Sequence, residues 1–503
     1  MKKTLILPDT IEACHEMIIS QARLIEQLQR RAFGGSLKDR AVKYDGPSLF
    51  DEYDEQAKLA AAAAIEKVSK EVDEAAQKRR DEAKAQAKGR GKRPEKYNTY
   101  GLPVQTTTVY PEGINLDDYD VIGQDETNVL HLEPQRLWVE KTITPILRLK
   151  ADKAAPSPQI LQSPRPHSII GGGHVGADLL AAIIDNKFNH HLPEYRQVKM
   201  FAELGMKLPT STVNDWIHAT ANVLYPLYES QREAVMAGGY VQIDEVPWNI
   251  ADRKGQACRK GYAWQFRDVS PQPKGSWFYY HKGSRAGEIP RTQLRGYQGA
   301  IQNDGYNVYN VFENVPGIIV LACMAHIRRK FVDAKKSNPL ASEAVKYIAT
   351  LYTLEENLKS AEATTDEIRS ERQRLAVPLL KSLEVWMQTA LMTCTPKDPL
   401  AAAIKYALSL WTRVMRYTEE GYYHIDNNPV EQGQRPSVLG RKNYLFSQND
   451  RGAEDNAIFY TFMVSCETLG VNPYQWLKHT LEHIRPDMEE PDLVNLLPCN
   501  YKN

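Results

Sequence analysis

The sequence predicts a multidomain protein of mixed α+β and α/β class, centred on a mixed β-sheet that a helical insertion interrupts. Three observations lead there. At 503 residues the chain is long enough for several domains and at least one sizeable core. Between residues 240 and 323, five strand-length runs rich in β-branched and aromatic residues follow one another. Between Asp304 and Glu431 the pattern changes to long stripes of helical period.

Residues 1–45 carry Ile11, Cys14, Ile18, Ile25 and Leu28 at heptad spacing before Gly34-Gly35, which predicts a short coiled coil or a helix packed on its own protein. Residues 46–100 are rich in Ala, Glu and Lys and then turn basic, with nine Lys or Arg against three acids between Lys78 and Lys96. They read as a charged helix running into a basic linker. Such a linker can track a DNA backbone by releasing counterions, although a solvated tether without a partner is the default reading. Residues 101–165 show β-like runs at 104–109 and 137–149, a small β module whose Pro-rich end, 155–166, acts as a linker.

Residues 166–237 are helical. A helix stops at Gly205 and a second opens at Pro209-Thr-Ser-Thr212 with a hydroxyl N-cap. This predicts a helix-turn-helix-like region with Thr212, Asn214, Asp215 and His218 turned outward to DNA, while an ordinary helical hairpin has the same pattern. Residues 238–325 and 424–452 form the next domain, with strands at 240–246, 261–269, 276–280, 299–303 and 317–323 and a helix at 285–294. Three strands, a helix, then a strand ending in Asp is the order of a ribonuclease H-like fold. Its first and fourth strands lie side by side, so Asp244 and Asp304 meet at one edge. Residues 326–423 read as the helical insertion and 453–503 as a C-terminal helical region.

A third carboxylate has to come from a helix across that sheet. Asn428 suits an N-cap, Pro429 the first helical position, and Glu431 then falls near the third. A capping box would explain Glu431 by stability alone, and Asp244 or Asp304 taken singly are ordinary turn-capping residues. The combination points to function. Three converging carboxylates raise one another's pKa unless cations bind between them. Oxygen ligands select Mg²⁺ or Mn²⁺, and two such ions roughly 3.5 to 4 Å apart activate one oxygen and stabilise another. Beyond Glu431, Arg435, Arg441 and Lys442 read as a basic loop for phosphates, with Asn443 a further donor. Cys323 reads as core, and His326, Arg328 and Arg329 as the rim of the site or a strand-end cap.

Composition sets limits. Lys plus Arg and Asp plus Glu both number 63, so no broad basic surface is expected and any DNA contact must be local. Six cysteines without a Cys-x-x-Cys pair argue against a disulfide framework or a zinc ribbon. No apolar run reaches membrane-spanning length, so a cytoplasmic chain with no membrane partner is expected.

Several motifs together carry a resemblance: Asp244-Glu245, Asn303-Asp-Gly-Tyr306, Cys323-Met-Ala-His-Ile-Arg-Arg-Lys-Phe331, His191-Leu-Pro-Glu-Tyr-Arg196, and above all residues 426–446 with Asp450-Arg-Gly452. Over nearly its whole length the chain resembles transposases of the insertion sequence 66 family, which are DDE-type enzymes. The resemblance implies Asp244, Asp304 and Glu431 as metal ligands and catalytic acids, with two Mg²⁺ or Mn²⁺ ions. It implies cleavage at transposon DNA ends and transfer of the 3′-hydroxyl strand into target DNA. It further implies a homodimer or higher assembly on DNA, small accessory proteins of the element, and a bacterial-type protein that joins the nucleoid when bound. The family's cysteines for a small zinc module are missing from residues 102–165, so no zinc is expected there. Val246 stands where threonine is usual, and Gln432 where asparagine is usual. A catalytically inactive DNA-binding derivative and a metal-dependent nuclease without strand transfer are the alternatives.

Overall fold

The structure is a computed structural model that describes residues 136–141, 146–148, 160–162, 168–170, 175–251, 258–285 and 287–502. The coiled coil and charged linker expected over residues 1–100 lie outside these, as does most of the 101–165 module. Of that module the structure describes β1 (Ile146–Arg148) paired antiparallel with β2 (Ile160–Gln162), which falls inside the stretch expected as a linker.

Three helices lead to the sheet: α1 (Ala177–Phe188), α2 (Glu194–Glu203) and α3 (Thr210–Ala237). Gly205 turns the chain between α2 and α3 with φ +92, a conformation open to glycine at little steric cost. The hydroxyl cap expected on α3 is absent, because the N-cap is Pro209 and Thr212 already lies inside the first turn. Val213, Ile217, Ala221 and Leu224, spaced three or four apart, are buried.

The five expected strands are present as β3 (Tyr240–Ile250), β4 (Arg259–Asp268), β5 (Ser276–His281), β6 (Gly299–Asn303) and β7 (Ile318–Ala322), with α4 (Glu288–Gln293) between β5 and β6. They form one sheet in the order β5-β4-β3-β6-β7, with β3 antiparallel to β4 and parallel to β6. This is an α+β arrangement compatible with a ribonuclease H-like core. The insertion follows β7 as α5 (Met324–Ala334), α6 (Ala341–Ser360), α7 (Thr365–Glu371), a π-turn at Arg372–Ala376, α8 (Val377–Thr393), α9 (Pro399–Ser409) and α10 (Trp411–Met415). The chain returns as α11 (Asn428–Tyr444), α12 (Asp450–Leu469), α13 (Pro473–His483) and α14 (Glu490–Asn495).

Side chains alternate along β3, and at its start the two faces feed two cores. Val241 and Ile243 join the core built with α1, α3 and α12, whereas Tyr240 joins that of the insertion, with Phe331, Tyr347, Leu351 and Trp386. Buried Arg372 pins the segment that returns from the insertion. Its guanidinium donates to the Glu355 carboxylate at 2.9 and 2.6 Å and to the carbonyls of Tyr417, Glu420 and Gly421.

One expectation is overturned here. The basic loop read beyond Glu431 is helix: α11 continues through Pro436 to Tyr444. An internal proline removes one helical hydrogen bond and costs roughly 3 kcal/mol, and packing of α11 across β3 and β4 offsets that. Gly433 permits the close approach, since a Cβ there would lie 2.2 Å from Gln265 Nε2.

Candidate metal-binding active site

The parallel pairing of β3 with β6 sets Tyr240 opposite Ala300 and Gln242 opposite Gln302. Carried past the last paired residues, the same register brings Asp244 opposite Asp304, just beyond the end of β6. Alternation puts Tyr240, Gln242 and Asp244 on one face of β3. On that face the Tyr240 hydroxyl and Gln242 Nε2 donate to Gln302 Oε1 at 2.6 and 2.7 Å. Gln242 Nε2 also donates to the Asp426 carbonyl at 2.9 Å, and Gln242 Oε1 accepts the Val430 N–H at 3.2 Å. Gln302 Nε2 donates to the His424 carbonyl at 2.8 Å. Two buried glutamines therefore fasten the chain just before Glu431 to the strands that carry the aspartates. Sequence reading missed both, although a glutamine in an otherwise apolar strand is the signal that could have found them.

The start of α11 differs from the expected one. Asn427 occupies the N-cap position and Asn428 makes no capping-box bond; instead the Asp426 carboxylate accepts the Asn428 N–H at 3.1 Å and the Tyr352 hydroxyl at 2.8 Å. Glu431 thus has no capping duty. Its Oε1 is buried without a hydrogen-bond partner, and so is His326 Nδ1, 3.7 Å away.

Asp244 is half-buried. Burial first, then the charges of Glu245, Asp304 and Glu431, push its carboxyl up to about 7. Asp304 uses Oδ1 to accept the Tyr306 N–H at 2.9 Å, so the turn-capping role is realised at that atom, and its carbonyl accepts from Tyr406 of the insertion at 2.9 Å. Glu245 points to the other face and accepts from Arg285 Nε at 2.7 Å. Asp244 lies in reach of the charges of both Asp304 and Glu431, and Glu431 carries an orphaned buried oxygen; carboxylate oxygens of this kind suit a divalent cation.

A cavity of about 390 Å³ opens beside them, lined by Asp244, Val246, His326, Glu431, Gln434, Arg435, Val438 and Leu439. Asp304 does not line it. Glu431, Arg435, Val438 and Lys442 follow helical spacing along α11, and Arg435, Lys442 and Asn443 are exposed, as are Arg328 and Arg329 on α5. His326 lines the cavity. Two expected DNA contacts are already engaged. Arg441 donates to the Pro247 carbonyl, and His218 is bound to Asp455. Both partners are distant in sequence and come close only in the fold. Asn214, His218 and Asn443 meet along a second cavity of about 680 Å³, which Thr212 does not line. Among the described residues no helix is long and apolar enough to cross a membrane.

Residues 172–455, over half of the chain, match the family model described as Transposase IS66 family. Among curated proteins the chain is similar to the uncharacterized protein y4jD of Sinorhizobium fredii, 30% identical over 395 residues that cover 76% of each chain. It is also similar to the uncharacterized protein y4hP of the same organism, 28% identical over 76% of this chain and 71% of that one.

Proposed function

The chain belongs to the IS66 family of transposases, DDE enzymes that generally use divalent metal ions, and we propose that it cleaves transposon DNA ends and transfers the freed 3′-hydroxyl strand into target DNA. The observation that carries this reading is Asp244 on the cavity wall, pushed up to about 7 by burial first and then by the charges of Glu245, Asp304 and Glu431. Asp244, Asp304 and Glu431 would hold two Mg²⁺ or Mn²⁺ ions. Bound there, the ions supply activation of the attacking oxygen and charge stabilisation of the leaving 3′ oxygen.

The protein's own contribution is positioning. Gln242 and Gln302 set the height of α11 over the strands, so Glu431 faces the cavity that Asp244 enters. Arg435 stands on the same cavity wall, one turn beyond Glu431, where it binds a phosphate of the DNA backbone. Val438 and Leu439 add apolar surface to the cavity wall. DNA continues over exposed Lys442 and Asn443 towards the second cavity and Asn214. Two ends are paired by a homodimer or higher assembly.

The test uses a duplex taken from the flanks of the coding region, with Mg²⁺. Asp304→Asn is expected to abolish cleavage while retaining DNA binding, and product sizing is expected to show joined strands. Equal cleavage by parent and variant refutes the assignment. Cut but unjoined products reduce it to a nuclease.

A further inference from the structure

Cys323 follows β7 directly and occupies the N-cap of α5, and His326 stands in that helix's first turn. Glu431 reaches the same point from α11. One ligand atom from each of the three side chains lies within 4.8 Å of the other two. Two further features mark this as more than proximity. His326 Nδ1 and Glu431 Oε1 are buried 3.7 Å apart and neither has a hydrogen-bond partner, which is costly unless something binds between them. Cys323 Sγ accepts the Asn427 N–H at 3.2 Å, the kind of bond that supports a metal-bound thiolate.

We propose that Cys323, His326 and Glu431 form a site for a thiophilic, tetrahedral divalent cation of the Zn²⁺ class, with the fourth position open to the cavity. A thiolate, an imidazole and a carboxylate are a Zn²⁺ donor set, whereas Mg²⁺ disfavours sulfur. On binding, the Cys323 S–H bond breaks, the sulfur–metal bond forms and the proton passes to solvent. Glu431 also belongs to the set proposed for the DNA-cleaving ions, so a soft cation draws it away from Asp244 and Asp304 and inhibits. That competition rests on the proposed cleavage site; the cation site itself does not.

The experiment titrates full-length, metal-free protein with Co²⁺ and reads the thiolate-to-Co²⁺ charge-transfer absorbance. One equivalent is expected to produce the band, excess Zn²⁺ to displace it, and Asp244→Asn to keep it. Cys323→Ser is expected to abolish it. His326→Gln, at a partly exposed position that spares the fold, is expected to weaken binding by more than the roughly 10- to 100-fold that loss of a supporting partner costs. No band in the parent, a full band in Cys323→Ser, or unchanged affinity in His326→Gln overturns the proposal. In the cleavage assay, Zn²⁺ inhibition relative to each protein's own rate is expected to be stronger for the parent than for His326→Gln, and equal inhibition overturns the competition. If the band behaves as expected while no variant or parent ever cleaves, the cation site stands and the transposase reading falls.

Discussion

Asp244→Asn is expected to stabilise the metal-free protein. Burial and three neighbouring carboxylates raise Asp244 from 3.8 to about 7, so the folded chain holds this proton more tightly than the unfolded chain does. Folding then takes up a proton across that window, and stability falls as pH rises through it. About three units at ~1.4 kcal/mol each give an upper value of about 4 kcal/mol above neutrality. Asp244 is only half-buried, and screening by the solvent that reaches it leaves about 2 kcal/mol. The amide keeps the shape of the carboxylate and removes its charge. Thermal unfolding in chelator near pH 8 should therefore show the variant melting about 4 °C higher. The gap should narrow as pH falls from 7 towards 4 and close below about 3.8, where the parent's carboxyl is protonated in both states. Saturating Mg²⁺ should reverse the order, because only the parent regains a full ligand set. A variant no more stable than the parent near pH 8, or a gap that ignores pH, would refute the reasoning.

Arg372→Leu should cost about 3 kcal/mol in denaturant unfolding, since it strands the partly buried Glu355 carboxylate and three carbonyls. Gln242→Leu should cost about 1 to 3 kcal/mol by leaving the Val430 N–H and the Asp426 carbonyl without partners. Its cleavage rate should fall further than its DNA affinity, as measured by single turnover and filter binding. Arg435→Ala should weaken DNA binding and lower the salt slope by about one, while Arg441→Ala should act mainly on stability because its guanidinium is already given to Pro247.

The sheet was legible because strands leave a local trace: runs of apolar residues bounded by turn residues, with Asp244 and Asp304 at matching distances along paired strands. The helix carrying Glu431 was legible in place but not in detail. Asn428 and Pro429 satisfy the statistics of a helix start, yet the cap is the Asp426 carboxylate, held by Tyr352 from α6. Pro436 and Gly440 punctuate the sequence as a loop would, and only tertiary packing keeps that stretch helical, including the bond from Arg267 to the Pro429 carbonyl at 2.6 Å. Charged residues were the least legible. Arg441 and His218 look free in sequence, but their partners lie 194 and 237 residues away, and no local pattern encodes a contact at that distance.

The insertion reads in sequence as an addition between strand and catalytic helix, but its contacts make it part of the site. Tyr406 of α9 holds the Asp304 carbonyl, and Tyr352 of α6 holds the Asp426 carboxylate that starts α11. His326 of α5 faces Glu431, and Arg372 fixes the chain at residues 417–421 before it re-enters the sheet. The segments that carry two of the three carboxylates are therefore braced from the insertion side, with Tyr406 and Tyr352 acting from outside the cavity lining. Converging like charges repel, so without such bracing the acids would relax apart when no cation is bound. The burial that supplies this rigidity is also what leaves Glu431 and His326 with unpartnered atoms. On the two proposed readings, one packing arrangement would ready the hard-oxygen set for its ions and open its glutamate to a competing thiophilic one.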